Sequence, residues 1–387
     1  MSAEDLHDCE SVHGYISRIC FKNGPPMRIG AELEFILAGA DTRSPVSLPH
    51  LRAALQQAPP FPGGSSLTFE PGGQVELSSP AATGLTSLMT SLQADVDQLL
   101  LGLAASGLRI VDAAVDPCRP PLRQLVSRRY DAMEAYFDSL EPGVPVSERT
   151  GRAMMTTTAA TQLNLDVGST AAHRWRLLHD LGPVLIAAFA NSPTRAGRPT
   201  GWKSSRQQIW QTLDPARTAP PAGEDPIPAW SDFALDAPVM MQPARGTFRD
   251  WVLSGDPPST DDLDVHLSTL FPPVRPRGWF EVRYLDAQPL RWWPVPIAVL
   301  GSLVDDPVAA DLATEAAAPA RDRWRSAARI GLADPVLGDA ARRCFTIALE
   351  SLERHDPLLV ELVARFAEEY TQRDRCPADD VAVSEVP

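Results

Sequence analysis

Four short stretches, far apart in the chain, place acidic or amide side chains on alternate residues of segments that otherwise read as buried strands. They are Ile29-Gly30-Ala31-Glu32-Leu33-Glu34-Phe35, Gln74-Val75-Glu76-Leu77, Thr161-Gln162-Leu163-Asn164-Leu165-Asp166 and Trp279-Phe280-Glu281-Val282-Arg283-Tyr284. A strand sends successive side chains to opposite faces. Glu32 therefore shares a face with Glu34, Gln74 with Glu76, Gln162 with Asn164 and Glu281 with Arg283, and the other face is apolar each time. In one sheet these strands make a wall of carboxylates with a guanidinium among them. Clustered carboxylates repel, and burying them costs on the order of several kcal/mol per ion. Hard divalent cations with oxygen ligands are the usual remedy, and Mg²⁺ held by carboxylates and nucleotide phosphates is the commonest form. The residues point to a metal–nucleotide enzyme.

The elements that must hold this wall are legible in outline. A short helix within residues 1–27 leads to a turn at Asn23-Gly24-Pro25-Pro26, and Arg28 to Leu37 is the first strand. A short helix is expected at Leu48–Gln57. Leu67 to Ser78 reads as a hairpin turning at Glu70-Pro71-Gly72-Gly73. Leu85, Leu88, Leu92, Val96, Leu99 and Leu103 recur at helical spacing within a helix from Thr83 to Ala105. Leu108–Ala114 and Thr157–Val167 read as strands, and Arg128–Asp138, Thr170–Ala190 and Asp261–Leu270 as helices. Residues 215–229 read as a proline-rich linker, 307–371 as helical and 377–387 as a frayed acidic tail. The alternation is irregular, with several antiparallel pairings, so the expected class is α+β. No repeat or clean boundary divides residues 1–387, and one catalytic domain is the simpler reading.

Composition narrows the function. Of 387 residues, 44% are hydrophobic and 22% charged, enough for a sizeable core. A net charge of −14 argues against a nucleic-acid surface. Only Lys22 and Lys203 among the 35 basic residues are lysines, a skew that points to a GC-rich genome. Cys9, Cys20, Cys118, Cys344 and Cys376 show no CxxC spacing, hence neither a disulfide framework nor a zinc site. No signal peptide is visible, and the apolar run Val184–Ala190 is too short to span a bilayer. A soluble, cytoplasmic protein with no membrane partner is expected; nothing sets its oligomeric state. Neither GxGxxG nor a P-loop is present.

Together the stretches resemble the glutamate–cysteine ligases, and in particular the actinobacterial branch that makes γ-glutamylcysteine for ergothioneine, itself similar to the plant-type enzyme. The matching pieces are Gly30–Phe35, Glu70–Ser78, Met154–Thr157, Gln162–Asp166, Ala190–Pro193, Gly201-Trp202, Ser205–Trp210 and the run from His266 to Asp286. Their order and spread over residues 28–290 make the match specific. The resemblance implies a glutamine synthetase-like catalytic fold, in which a curved, mostly antiparallel sheet forms an acid-lined funnel with helices outside. It implies two steps as well: the γ-carboxylate of L-glutamate attacks the terminal phosphate of ATP, then the amine of L-cysteine displaces phosphate.

Two anions must meet in that reaction, so metal ions have to neutralise the phosphoryl oxygens. Glu32, Glu34, Glu76 and Glu281 are the expected ligands for Mg²⁺ or Mn²⁺, with Gln162 or Asn164 completing the shell. Glu70 reads equally as a further ligand or as a turn acid. Arg283, two residues from Glu281, can stabilise the transferred phosphoryl group. The likeness to plant-type enzymes nominates Arg129, or its neighbour Arg128, and Arg206 as the clamp for the α-carboxylate of glutamate. Trp210 and Trp202 would wall the same pocket. Lys203 invites a phosphate contact that the family pattern does not fix, Arg275 and Arg277 read as loop-orienting, and His266 as a core histidine. Plant-type relatives carry a basic residue near the position of Thr157 and this chain does not, which speaks against plant-style redox control. No motif reads a thiol. A sister ligase using another amine, phosphoryl transfer without ligation, and a silent glutamate- or nucleotide-binding paralogue are the alternatives. The intact acid set with Arg283 disfavours the last.

Overall fold

The computed structural model describes residues 4–22, 28–56 and 59–381; the turn expected at 23–26 and residues 382–387 of the expected tail lie outside them. Seven strands build one sheet: β1 (Ile29–Ala38), β2 (Ser66–Phe69), β3 (Val75–Ser78), β4 (Arg109–Val111), β5 (Ala160–Asp166), β8 (Val274–Pro276) and β9 (Trp279–Asp286). Between β5 and β8 in sequence, β6 (Thr194–Arg195) and β7 (Arg198–Pro199) form a separate ribbon. The main order is β2-β3-β1-β5-β9-β8, with β4 also paired to β1, and every pairing is antiparallel. This is the acid-faced antiparallel sheet with outer helices that the α+β, glutamine synthetase-like expectation describes.

Alternation decides which face each residue takes. Ile29, Ala31 and Leu33 of β1, Leu163 and Leu165 of β5, and Phe280 and Val282 of β9 are all buried. They pack against the helices Leu85–Ala105, Ala171–Phe189 and Pro294–Asp305. Each of these side chains larger than alanine stabilises the fold by roughly 1.5–3 kcal/mol. Gly301 lets the last of these helices close in: a Cβ there would stand 2.8 Å from Leu85 Cδ2 and 3.1 Å from Ile29 Cδ1. Behind them, Phe189, Phe345 and Phe366 make a ring cluster with centroids 5.2–5.8 Å apart. Among the described residues no helix is long and apolar enough to cross a membrane.

Three expectations need correction. The strand read from Thr157 begins at Ala160, because Thr150–Thr157 is helical. The hydroxyls of Thr156, Thr157 and Thr158 each donate to the carbonyl four residues back at 2.7 Å, which lets a β-branched run sit in a buried helix end. The proline-rich linker holds helices at Pro215–Thr218 and Pro226–Asp236, each opened by proline after an aspartate cap, Asp214 and Asp225. Nor is the start of the tail frayed. Ala378 N–H donates to Ala190 O at 2.9 Å, Asp379 pairs with Lys203, and Cys376 and Ala378 are buried.

Candidate active site

Register places the acids. Glu34 lies opposite Glu76 across β1 and β3, Glu32 opposite Gln162 across β1 and β5, and Asn164 opposite Glu281 across β5 and β9. Glu70 joins them from the turn between β2 and β3, which closes through Glu70 N–H to Gln74 O and Gly73 N–H to Glu70 O, both 2.8 Å. Glu32, Glu34, Glu70 and Glu76 line one wall of a cavity of about 720 Å³. Gln162 Nε2 donates to Glu34 Oε1 at 2.8 Å, and Asn164 Nδ2 to Glu32 Oε1 at 3.0 Å. Hydroxyls of Thr68 and Ser78 donate to Glu76 Oε1 at 3.0 and 2.9 Å. Burial, together with the charge of Glu70 and Glu76, pushes Glu34 up to about 8. Burial and Glu76 push Glu70 up to about 7, and burial with Glu281 and Glu76 raises Glu32.

Arginines line the same cavity. Thr161 pairs with Leu285 and Leu163 with Val282, so Arg283 and Tyr284 both face Gln162 at a β-bulge. Arg283 Nη1 donates to Gln162 Oε1 and to Glu281 Oε2, both at 2.8 Å. Arg206, on the helix Ser205–Leu213, donates from Nη2 to the carbonyl of Arg283 at 2.7 Å. Its Nε and Nη1, the Nε of Arg129 and the Nε1 of Trp210 are buried donors that find no hydrogen-bond partner among the described residues. The Trp210 ring lies 5.9 Å from the guanidinium carbons of both Arg206 and Arg283. Unpaired buried donors are costly, and these line the same cavity as the acids.

The profile of glutamate-cysteine ligase family 2 (GCS2) matches residues 28–373. The chain belongs to this family. It is 42% identical over 398 residues to glutamate–cysteine ligase EgtA of Mycobacterium tuberculosis, covering 97% of this chain and 90% of that relative. It is also 42% identical over 401 residues to EgtA of Mycolicibacterium smegmatis, covering 97% and 91%. A solved glutamate–cysteine ligase from Francisella tularensis, in complex with AMP, shares the fold with a TM-score of 0.56 at 12% identity, over 93% of this chain and 84% of that one.

Within this family frame, Glu281, Arg129, Arg206, Trp210, Gln162 and Arg283 line the cavity, whereas Asn164 and Trp202 do not. Glu281 is 1% exposed and fully engaged. Arg275 donates from Nε at 2.6 Å and Nη2 at 3.1 Å, Arg277 from Nη1 at 3.1 Å and Arg283 from Nη1 at 2.8 Å. Burial would raise its pKa, but Arg275 and Arg283 hold the carboxyl well below the usual range. The cause is β8, which sets Arg275 directly opposite Glu281. Asn164 is not among the residues that line the cavity; its Oδ1 accepts from Trp279 Nε1 at 2.9 Å while its Nδ2 donates to Glu32. Trp202 also stands outside the cavity. It packs on the core under Arg325, 5.6 Å from the ring, because Lys203 and Ser204 N–H groups tie that loop to Arg329 and Ala328 carbonyls. Lys203 is paired to Asp379 and is not among the residues that line the cavity. Of the arginine pair, Arg129 lines the cavity and Arg128 does not. His266 is the expected core histidine, bonded to Ala234 O at 2.8 Å and pushed down to about 3 by burial.

Four hard-oxygen acids on one wall suit a divalent cation that keeps waters and shares substrate phosphates. Among the described residues, no three acidic, histidine or cysteine side chains converge tightly enough to cage a metal by themselves. Mg²⁺ seldom requires such a cage, so the donor set fits the ion.

Proposed function

We propose that this protein is an ATP-dependent ligase that joins the γ-carboxylate of L-glutamate to the amine of L-cysteine through γ-glutamyl phosphate. The observation that carries the reading is one cavity with two poles: four mutually repelling carboxylates, and buried arginine and tryptophan donors without partners. The first pole suits a cation and the second an anion, and a carboxylate meeting a nucleotide phosphate needs both. The name shared by the 42%-identical relatives supports the same substrates. One core running from Leu6 to Tyr370 supports reading residues 1–387 as a single catalytic unit.

Glu32, Glu34, Glu70 and Glu76 would hold Mg²⁺, which when bound neutralises phosphoryl oxygens. Arg206 and Arg129 receive the α-carboxylate of glutamate, with Trp210 against them, and fix the γ-carboxylate towards the acid wall. Arg283, held by Gln162 and Glu281, presents its guanidinium to the transferring phosphoryl group, where charge develops. The γ-carboxylate oxygen bonds to phosphorus as ADP leaves; the amine then bonds to the acyl carbon as phosphate leaves and the amine loses a proton. Glu281 serves by fixing Arg283 and Arg275 rather than by direct ligation. The product would supply a low-molecular-weight thiol, ergothioneine by resemblance, in the cytoplasm.

The deciding experiment is ADP release from ATP and Mg²⁺ with glutamate and a panel of amines, with products identified by mass. Cysteine-dependent ADP release with γ-glutamylcysteine is the expected result. Ligation of a different amine would retain the chemistry and overturn the acceptor. No ADP under any condition would leave a glutamate- or nucleotide-binding sensor.

A further inference from the structure

Asp286 closes β9 three residues beyond Arg283, is 2% exposed, and does not line the cavity. Its Oδ2 accepts from Asn191 N–H at 2.9 Å and Ser192 Oγ at 2.8 Å, and its Oδ1 from Ser204 Oγ at 2.9 Å. Both hydroxyls pass the contact on to the helix that carries Arg206. Arg206 N–H donates to Ser192 Oγ at 3.1 Å, and Gln207 N–H to Ser204 Oγ at 3.0 Å. Gln207 Nε2 returns to Tyr284 O, two residues before Asp286, at 2.8 Å. The Asp286 carboxylate stands 3.8 Å from Arg206 Nη1, near enough to attract the guanidinium and too far to take its hydrogen bond. Two donors of Arg206 are thus left free while its position is fixed from behind.

Burying a carboxylate so fully is costly unless it is paired and hydrogen-bonded, and here both of its hydroxyl partners bond the first turn of the helix that carries Arg206, Ser192 through Arg206 itself. We infer that Asp286 is a positioning residue that, through Ser192, Ser204 and its own charge, holds Arg206 with two donors free for the substrate carboxylate. This rests on the reading that Arg206 binds the α-carboxylate of glutamate.

The test is steady-state kinetics and calorimetric glutamate binding on the full chain with Asp286→Asn, Arg206→Ala and the double variant. Asparagine keeps the size and one acceptor oxygen. Asp286→Asn is expected to raise the glutamate KM and Kd about tenfold while the KM for ATP stays within about twofold. Because it acts through Arg206, it should add little to Arg206→Ala in the double variant. An unchanged glutamate KM in Asp286→Asn, or losses that simply add, would overturn the positioning role and leave the ligase reading intact. An unchanged glutamate KM in Arg206→Ala would overturn the clamp, and the role of Asp286 with it. Should Asp286→Asn fail to fold, Ser192→Ala breaks the same relay. It is expected to raise the glutamate KM by roughly threefold or more, and an unchanged value would overturn the proposal.

Discussion

Glu34 and Glu70 give the site a pH signature. Their folded-state values, about 8 and about 7, lie above the ordinary 4.5. The folded chain therefore binds more protons than the unfolded chain between those limits, and their contribution to stability falls as pH rises through that window. Without divalent metal the thermal midpoint should drop from pH 5.5 to 8.5. Mg²⁺ or Glu34→Gln should flatten the slope, and a slope unmoved by both would remove these acids as its source. Glu281→Gln belongs to a different class. It leaves Arg275 and Arg283 without their buried anion, so urea denaturation should show a loss of about 3–5 kcal/mol together with lost turnover. Lost turnover at an unchanged midpoint would return Glu281 to the metal ligands. Glu32, Glu34 and Glu76 were legible from a period of two alone. The partnership of Arg275 was not, because Pro272, Pro273 and Pro276 read as loop while an edge strand such as β8 tolerates proline.

At the scale of elements, the turn between β2 and β3 is the tightest piece of the acid wall. Gly72 lies so close to the helix Thr150–Thr157 that a Cβ would stand 2.1 Å from the Thr156 carbonyl oxygen, and backbone cannot yield as a side chain would. The amide of Gln124 braces the same turn, donating to Val46 O at 3.1 Å and Gly72 O at 2.8 Å and accepting from Leu48 N–H at 2.9 Å. Gly72→Ala should cost about 1–3 kcal/mol and, by moving Glu70, raise the Mg²⁺ concentration needed for half-maximal rate. A metal response unchanged in that variant would exclude Glu70 from the metal set. The hairpin was readable because Glu70-Pro71-Gly72-Gly73 is turn chemistry. The helix it abuts was not, since three consecutive threonines read as strand until their hydroxyls are seen to bond back along the helix.

At the scale of the whole molecule, the C-terminal segment matters to the site although it lies outside it. Lys203 adjoins Ser204, which bonds Asp286, and Lys203 is pinned by Asp379. Ending the chain at Arg375 should lower the denaturation midpoint by about 1–3 kcal/mol and raise the glutamate KM. Unchanged values would make the segment a passive cover. Its docking could not be read from composition, because an acidic end looks solvated until the cation it meets is known. The sheet itself has a consequence in time. The four acids of the wall all precede residue 80, whereas Arg129, Arg206, Arg275 and Arg283 follow much later in the chain. Glu32 and Asn164 are separated by 132 residues, and Gln162 and Arg283 by 121. A chain emerging from the ribosome therefore displays the negative half of its site long before the positive half exists. Closure of the sheet must await β9, a long-range pairing of the kind that folds slowly. Any amino-terminal fragment ending before β8 carries four acids with neither Arg275 nor Arg283 to face them.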